Sequence, residues 1–596
     1  MKSSLPQHSY RSSSYEVHWD PSEPLWLDIK GGGKKTRVPV VGGVHGPDKW
    51  DGLGRPEFVS AVSLDEAEVW TFEAASETWE KFQTVWVLEA DSTRVHHEIV
   101  GTGSVDVVSF FETVPVENLP DAGATLPLVR RVRPPLRTYS VSSPYFHRSV
   151  YVPQPYAGQG PERPADTESL LTVAGTFGPI DFNTWFSPGL FCFGLMPATG
   201  RKWFLGLGTG LGGHLYNSFR YVGGNGGWGT VVDYDGMLKV KGHWISPDVE
   251  IRWASDIDTG LREHVASGRN RGWFPEPAPA PAAEWRRPIF CGWGQQQVFT
   301  RETGKKAKLA FLELQVSPSA TALATEDAYR EMVRLLEKEK LPFGTVTLDL
   351  AWGTTPGIPI HDPKKWPDLK GFIAEQHAKG RKVLLWLGCW STQNLPESML
   401  MKAEKGCKPL PDPTLPAFRN ALGKAIHEAI SPEGLNADGF KLDFSGDVPR
   451  GRGYRPHKAL WGVELLRDYV LFIYKSLKKA KSSAILQTHC ANPLFADCTN
   501  ILRLNDIFED RIDIRECMAQ RARMARIANE NWLIDTDNDP FISAKAWWEY
   551  MEFQPEIGIP SLMTVTHMCR STEPVPKGAY KRLNKIWRDY LKREGL

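Results

Sequence analysis

The chain lacks several features that would place it in a common protein class. Eight cysteines in 596 residues, with no Cys-x-x-Cys pair, argue against a disulfide framework and against a structural zinc site. A net charge of +1 gives no electrostatic reason to expect binding to nucleic acid or to an acidic membrane surface. No run approaches the roughly 18 consecutive apolar residues of a membrane-spanning helix, so none is expected.

The first ten residues, Met-Lys-Ser-Ser-Leu-Pro-Gln-His-Ser-Tyr, contain no apolar core of a secretory signal peptide. A cytoplasmic location is therefore the expectation. Cys490 and Cys498, the closest pair of cysteines, are expected to be reduced and to line a pocket or the core.

The length requires more than one hydrophobic core, and the chain divides by its pattern into two domains. Residues 1–273 carry short alternating runs separated by Gly, Pro and Asn, which predict an N-terminal β-sandwich domain. Residues 274–285 form a linker rich in Pro and Ala, which favours an extended polyproline conformation. Residues 286–596 remain for a second domain.

Two local expectations concern the N-terminal domain. Val231–Tyr234 and Met237–Val240 flank Asp235-Gly236, and this dipeptide predicts a tight β-hairpin because it tolerates positive φ angles. No long amphipathic helix is expected before Trp273.

Beyond the linker, apolar strand-like runs alternate with amphipathic helices, which predicts a parallel sheet. Eight runs predict a closed (β/α)8 TIM barrel: Pro288–Trp293, Thr345–Leu350, Lys382–Leu387, Gly439–Phe444, Ala484–Thr488, Ile501–Asp506, Asn531–Asp535 and Ile559–Val565. Seven helices are predicted between and after them: Thr325–Lys340, Asp368–Lys379, Leu415–Ile430, Ala459–Lys479, Arg515–Ala528, Ala544–Phe553 and Lys577–Arg593.

The fourth and sixth runs carry the strongest candidates for catalysis, because the carboxyl ends of barrel strands build the active site. Lys441 and Asp443 are two residues apart and therefore share one side of the fourth strand. Arg503 and Asp506 lie at the end of the sixth run. Two facing carboxylates are the machinery of glycosidic-bond cleavage, one as nucleophile and one as general acid/base.

In this interpretation Asp443 is the nucleophile, kept ionised by Lys441, and Asp506 is the acid/base. Arg503 favours the ionised form of Asp506, so burial must oppose it for Asp506 to act as an acid. The high tryptophan count, 23 residues, suits sugar stacking as well as core packing. Further strand-end residues are candidates for binding the substrate: Asp349, Trp352, Trp386, Trp390, Lys441, His489, Arg503, Asp535 and Asp537.

Several of these motifs resemble the α-galactosidase clan, glycoside hydrolase families 27 and 36 with their raffinose synthase relatives. The motifs are Asp349-x-x-Trp352, Lys441-x-Asp443, Arg503-x-x-Asp506 and Trp366-Pro367-Asp368 before a helix. The resemblance implies a retaining glycosidase that acts on α-linked hexosides, with no cofactor and no metal, and implies the same roles for Asp443 and Asp506. Leu350 stands where the clan commonly has a second acid that reads the axial hydroxyl of galactose, so another hexose or a larger glycan remains open.

Other functions also fit the residues. A transglycosylase would use the same covalent intermediate. A magnesium-dependent lyase or isomerase would coordinate metal through Asp443, Asp506 and Asp535, and a non-catalytic glycan-binding protein would keep only the cleft. Asp510 is a rival to Asp506. The oligomeric state is not indicated by the sequence.

Overall fold

The structure is a computed structural model. It describes the following residues: 7–49, 51–111, 150–151, 172–173, 188–195, 201–224, 227–301, 320–446, 448–449, 451–504, 506, 514–538, 543–568, 571 and 573–596. It confirms the predicted fold class, an antiparallel β-rich N-terminal region followed by a parallel (β/α)8 barrel.

The N-terminal region is built from strands and one helix. The strands are β1 (His8–Arg11), β2 (Tyr15–Trp19), β3 (Trp26–Gly31), β4 (Lys34–Pro39), β5 (Gly43–His45), β6 (Glu57–Ser63), β7 (Ala67–Ala74), β8 (Lys81–Glu89), β9 (Ser92–Phe110), β10 (Val150–Tyr151), β11 (Thr172–Val173), β12 (Cys192–Leu195), β13 (Lys202–Gly208), β14 (Ser218–Gly224), β15 (Gly227–Ile245) and β16 (Asp248–Ala254). Helix α1 (Ile257–Asn270) follows them.

These strands form two antiparallel sheets, one of four strands in the order β1-β2-β3-β4 and one of twelve strands. The long strands β9 and β15 pair along most of their length at the centre of the larger sheet. Fully buried indoles of Trp19, Trp70 and Trp86 contribute to the core, which explains part of the tryptophan content by packing.

The predicted hairpin at Asp235-Gly236 is wrong. Both residues have positive φ angles, as expected, but they form a bulge inside the continuous strand β15, where the register with β9 shifts between Asp233 and Leu238. The expectation of no helix before Trp273 is also wrong, because α1 spans fourteen residues.

The barrel contains β17 (Ile289–Cys291), α2 (Trp293–Arg301), α3 (Glu326–Lys338), β18 (Thr345–Leu348), β19 (Gly353–Thr355), β20 (Ile360–His361), α4 (Leu369–Ala378), β21 (Lys382–Gly388), β22 (Lys402–Ala403), α5 (Pro416–Ile430), β23 (Gly439–Asp443), β24 (Tyr454–Arg455), α6 (Gly462–Ala480), β25 (Ile485–Thr488), β26 (Ile501–Arg503), α7 (Ile514–Ala528), β27 (Leu533–Asp535), α8 (Ala544–Ile557), β28 (Ser561–Leu562) and α9 (Ala579–Arg593). Short 3-10 turns lie at Ala283–Arg286, Ala320–Leu323, Glu397–Met399 and Pro493–Phe495.

Eight parallel strands follow the order β28-β17-β18-β21-β23-β25-β26-β27. The remaining gap between β27 and β28 is bridged by one parallel pair, Asp535 with Ile559, so the barrel is nearly closed. Side chains cap the starts of two helices: that of Thr325 accepts from the Ala328 N–H, and that of Asp368 accepts from the Gly371 N–H. In the described part of the chain, no helix is long and apolar enough to cross a bilayer.

The β-rich region contacts the barrel on the side of α6. The free N–H groups at the start of that helix, on Val463 and Glu464, donate to the carbonyls of Tyr216 and His214 at 2.9 and 3.0 Å. Asn492 Nδ2 in the loop after β25 donates to the carbonyl of Gly189 at 2.6 Å. Backbone from the β-rich region thus supports loops on the carboxyl face of the barrel. The domain boundaries at 273 and 285 stay a prediction.

Candidate active site

Asp443 is the last residue of β23, and its local sequence explains its orientation. In Gly-Phe-Lys-Leu-Asp, the side chains of Phe440 and Leu442 are buried among apolar residues, whereas Lys441 and Asp443 point to the opposite side of the strand, into the barrel. The chain then turns sharply, with Phe444 at a φ of 56°, and the Phe444 N–H donates to Asp443 Oδ1 at 2.9 Å. Trp386 Nε1 donates to the other oxygen at 3.2 Å.

Arg503 joins the two predicted catalytic carboxylates. Its NH2 group donates to Asp443 Oδ1 at 2.9 Å, and its NH1 group donates to Asp506 Oδ1 at 3.0 Å. NH1 also donates to Asp537 Oδ2 at 2.7 Å. One buried guanidinium, only 2% exposed, therefore serves three carboxylates. Asp506 itself lies three residues beyond the end of β26, in a loop rather than on the predicted strand.

The surroundings shift the pKa values of the two candidate catalytic carboxyl groups in opposite directions. Burial alone would raise the pKa of Asp443, but Arg503, His489 and Lys441 together hold it well below its usual range. For Asp506, burial dominates and raises the pKa to about 6, because the attraction of Arg503 is partly offset by Asp537 and Asp443. Arg503 is expected to favour the ionised form of Asp506, but it is shared among three carboxylates, and burial raises the pKa of Asp506 despite it.

Lys441 helps to lower the pKa of Asp443, but its ammonium group pairs with a different carboxylate, that of Asp349. The Nζ of Lys441 lies 2.7 Å from Asp349 Oδ2, and the Cys291 thiol donates to the same oxygen at 3.0 Å. Burial lowers the pKa of Lys441, but Asp349 and Cys291 outweigh it and the pKa is raised well above the ordinary lysine value. The other oxygen of Asp349 accepts from the Leu350 N–H at 2.8 Å, so both oxygens are occupied within the protein.

Removal of one partner from this buried pair should destabilise the fold. Lys441→Met leaves the Asp349 carboxylate buried without its cation, and we expect the free energy of unfolding to fall by about 3–5 kcal/mol. Urea denaturation of the single variant and of Lys441→Met combined with Asp349→Leu measures this. The double variant should recover most of the loss, and a double variant as unstable as the single one would contradict the pairing.

The remaining predicted acids are Asp535, the last residue of β27, and Asp537, two residues beyond it. Asp535 accepts from Gln487 Nε2 and from the Asp537 N–H, while Asp537 is held by Arg503. Burial and the neighbouring Asp537 raise the pKa of Asp535 to about 6. Asp535 is 3% exposed and Asp537 is fully enclosed, so both lie behind the cleft surface.

The tryptophans and the histidine predicted to bind sugar lie near the site but are enclosed. Trp352 and Trp390 are each 2% exposed, and their indole N–H groups donate to backbone carbonyls of Trp386 and Ser445. Their burial favours core packing over sugar stacking, the two roles that the sequence leaves open for them. Trp386 contacts the Asp443 carboxylate, and His489 Nδ1 lies 4.0 Å from Asp443 Oδ1.

Three further residues contact the predicted acids, and the sequence assigns none of them a role. Cys291 reaches Asp349 from β17, Gln487 reaches Asp535 from β25, and the Tyr329 hydroxyl on α3 accepts from the Asp349 N–H at 2.8 Å. A thiol or an amide in a barrel strand gives no signal of its own; only the closure of the barrel makes them neighbours of the acids. Asn505, Asp510 and Asp539 lie outside the described residues.

No cluster of three or more His, Cys, Asp or Glu side chains with the geometry of a metal site occurs within the described ranges. The carboxylates of Asp443, Asp506 and Asp537 converge on the guanidinium of Arg503.

Comparison with known proteins gives no family model and no curated protein that matches the chain. Solved structures do match. A GH31 family sulfoquinovosidase from E. rectale, in complex with an aza-sugar inhibitor, has a TM-score of 0.55 at 10% identity over 98% of this chain and 82% of its own. A GH31 dextranase from Flavobacterium johnsoniae, complexed with isomaltotriose, has a TM-score of 0.51 at 10% identity and covers 99% of this chain and 68% of its own. A cycloalternan-degrading enzyme from Trueperella pyogenes has a TM-score of 0.51 at 13% identity and covers 99% of this chain and 81% of its own. At these identities the likeness shows a shared fold.

Proposed function

We propose that the chain is a retaining glycoside hydrolase that cleaves α-linked hexosides. One observation carries this proposal. Among the described carboxylates that contact Arg503, Asp443 and Asp506 keep 20% and 37% of their side chains exposed, while Asp537 is enclosed. The two open carboxylates are also biased oppositely, towards the ionised form at Asp443 and the protonated form at Asp506.

This difference is what the first step of the reaction requires. Asp443 attacks the anomeric carbon as an anion, and Asp506 donates its proton to the departing oxygen. The products of this step are a glycosyl ester on Asp443 and the free leaving group. Asp506, now ionised, then takes a proton from water as the water attacks the ester, and Asp443 is released as a carboxylate.

Arg503 has a matching electrostatic role. It stabilises the anionic form of Asp443 before attack, and it stabilises Asp506 once Asp506 has lost its proton. Since its guanidinium is already fixed by Asp537 at 2.7 Å, little reorganisation is needed during the reaction.

The choice of an α-linked hexoside is supported by the motif resemblance and by the names of the structural neighbours, which include a sulfoquinovosidase and a dextranase. Galactose is the first sugar suggested by the resemblance. The geometry adds a reason to test glucose beside it: Asp349 has both oxygens occupied, and Leu350 provides no carboxylate for an axial hydroxyl. The carbohydrate is the partner in this proposal.

An activity panel tests the proposal directly. Wild-type protein is incubated with aryl α- and β-glycosides of galactose, glucose, N-acetylgalactosamine and fucose, with Asp443→Asn as the matched control. We expect release from an α-hexoside by wild type alone. Proton NMR of the first sugar product should show the α-anomer, since two displacements at one carbon retain configuration. Initial release of the β-anomer would overturn the retaining mechanism, and equal release by both proteins would overturn the assignment of Asp443.

A further inference from the structure

Two loops on the carboxyl face of the barrel are joined by a small antiparallel sheet, and together they are called the platform. Residues 399–412 follow β21, and residues 451–458 follow β23, the strand of Asp443. Strands β22 and β24 pair antiparallel across the two loops, with Lys402 opposite Arg455 and Ala403 opposite Tyr454. Additional bonds reinforce the join: the Glu404 N–H donates to the Gly453 carbonyl at 2.8 Å, and the Tyr454 hydroxyl donates to the Lys408 carbonyl at 2.9 Å.

A buried carboxylate fixes the base of the platform. Asp412, 1% exposed, accepts from the N–H and the hydroxyl of Thr414 at 2.8 and 2.6 Å and from the His457 N–H at 2.6 Å. The Lys458 N–H then donates to the Thr414 hydroxyl at 3.0 Å. Asp412 therefore links the two loops, and its carboxylate is hydrogen-bonded within the protein. The exposed side chains above are held on an ordered backbone.

The exposed surface of the platform carries charge of nearly one sign. Within its two segments a single exposed carboxylate, Glu404, faces six exposed cations: Lys402, Lys405, Lys408, Arg452, Arg455 and Lys458. Glu404 forms an ion pair with Arg455 at 2.8 Å, and Arg452 lies 3.4 Å from Asp48 of the β-rich region. The four lysines form no ion pair with any residue that the structure describes. Because the whole chain has a net charge of only +1, this concentration is local.

A charged surface is most often a solvated face that keeps a protein soluble, but such faces usually mix both signs. Two further facts distinguish the platform. The loops that build it follow the carboxyl ends of β21 and β23, on the face of the barrel where substrates bind, and the second segment begins eight residues after the proposed nucleophile. The four lysines are also left without carboxylate partners among the described residues, on two loops joined by backbone hydrogen bonds, which is an arrangement suited to an anion from outside.

We infer that the platform binds an anionic glycan, one bearing sulfate or carboxylate groups. This inference rests on the proposed function, since it names the class of α-glycoside that the same site would cleave. The cations are mainly lysine ammonium groups, which act as point charges and do not demand the planar geometry of a bidentate arginine contact. They would therefore accept either sulfate or carboxylate.

Binding is measured on the full chain carrying Asp443→Asn, so that turnover does not consume the ligand. The platform variant combines Lys402→Gln, Lys405→Gln and Lys408→Gln. A matched control removes three exposed lysines from α9, with Lys581→Gln, Lys585→Gln and Lys592→Gln. The probes are a sulfated oligosaccharide, an oligogalacturonate and a neutral malto-oligosaccharide of equal length, each titrated by calorimetry at low and high salt.

The platform variant should bind the anionic probes about tenfold more weakly at low salt, a change of about 1.4 kcal/mol, while the control binds like the parent. The difference should shrink as salt is raised, because exposed charges are screened. Whichever anionic probe binds more tightly identifies the group. Equal losses in the two variants, or no preference for anionic over neutral probes, would each overturn the inference. A single-stranded oligonucleotide of equal charge is titrated as a fourth probe, and tighter binding of it would also overturn the inference. This assay reads binding alone, so its failure is separate from a failure of the glycoside panel to show turnover.

Discussion

Asp443→Asn should abolish turnover while the fold remains intact. The amide cannot form the glycosyl ester, and loss of a nucleophile on this scale lowers kcat by at least about 10⁴-fold. Circular dichroism and thermal unfolding check the fold. We expect it to be retained, because an amide oxygen in place of Asp443 Oδ1 can still accept from Arg503 NH2, which lies 2.9 Å away in the wild type, and from the Phe444 N–H. Steady-state kinetics on the best aryl glycoside of the panel give the loss.

Chemical rescue separates a nucleophile from a residue that only shapes the site. Asp443→Gly opens space next to Arg503, where azide can enter and attack the anomeric carbon of a substrate with a good leaving group. One displacement inverts configuration, so an α-glycoside should give the β-glycosyl azide. Azide that restores no activity, or that yields the α-product, would assign Asp443 another role.

The barrel could be predicted because its signal is local. Each strand is a short apolar run, and the period of two fixes that Lys441 and Asp443 face the same way. The contacts among the site residues could not be predicted, since they depend on closure. Asp349 and Lys441 come from alternate strands, β18 and β23, which meet in the layered interior of a barrel. The sequence places the two residues 92 positions apart.

The failures in the N-terminal region have physical causes as well. Asp235-Gly236 adopts the positive φ angles of a turn, but pairing with the long strand β9 on both sides of the dipeptide keeps β15 continuous and leaves a bulge. Helix α1 was missed because glycines take the place of large apolar residues on its buried face. A Cβ on Gly260 would lie 2.2 Å from the Phe204 ring, and one on Gly268 would lie 2.2 Å from the Phe274 ring.

Asp506→Asn should have an effect that depends on the leaving group. General acid catalysis contributes about 10²–10⁴-fold, so natural glycosides and aryl glycosides with poor leaving groups should slow by that factor. Dinitrophenyl glycosides need little protonation, and their first step should be almost unchanged. The glycosyl ester should then accumulate, because Asp506 also activates water, and a burst of dinitrophenol followed by a slow phase would show it. An equal loss on both classes of substrate would assign Asp506 a purely structural role.

The pH profile provides an independent test of the same residue. Asp506 must be protonated in the first step, and its pKa is about 6, so kcat/KM for a poor leaving group should fall as pH rises through about 6. The acid limb should lie far lower, because Asp443 stays ionised well below its usual range.

Asp535 also has a pKa of about 6, and the alkaline limb must be assigned to one of the two carboxyl groups. Asp506→Asn should remove the limb, because its amide no longer titrates. Asp535→Asn should retain the limb even if the rate falls, since Asp535 is 3% exposed and pairs with Gln487 behind the cleft. The reverse outcome would move the general acid to β27. Asp506 would then not be the proton donor, and the exposure of its side chain would no longer support the proposed reaction.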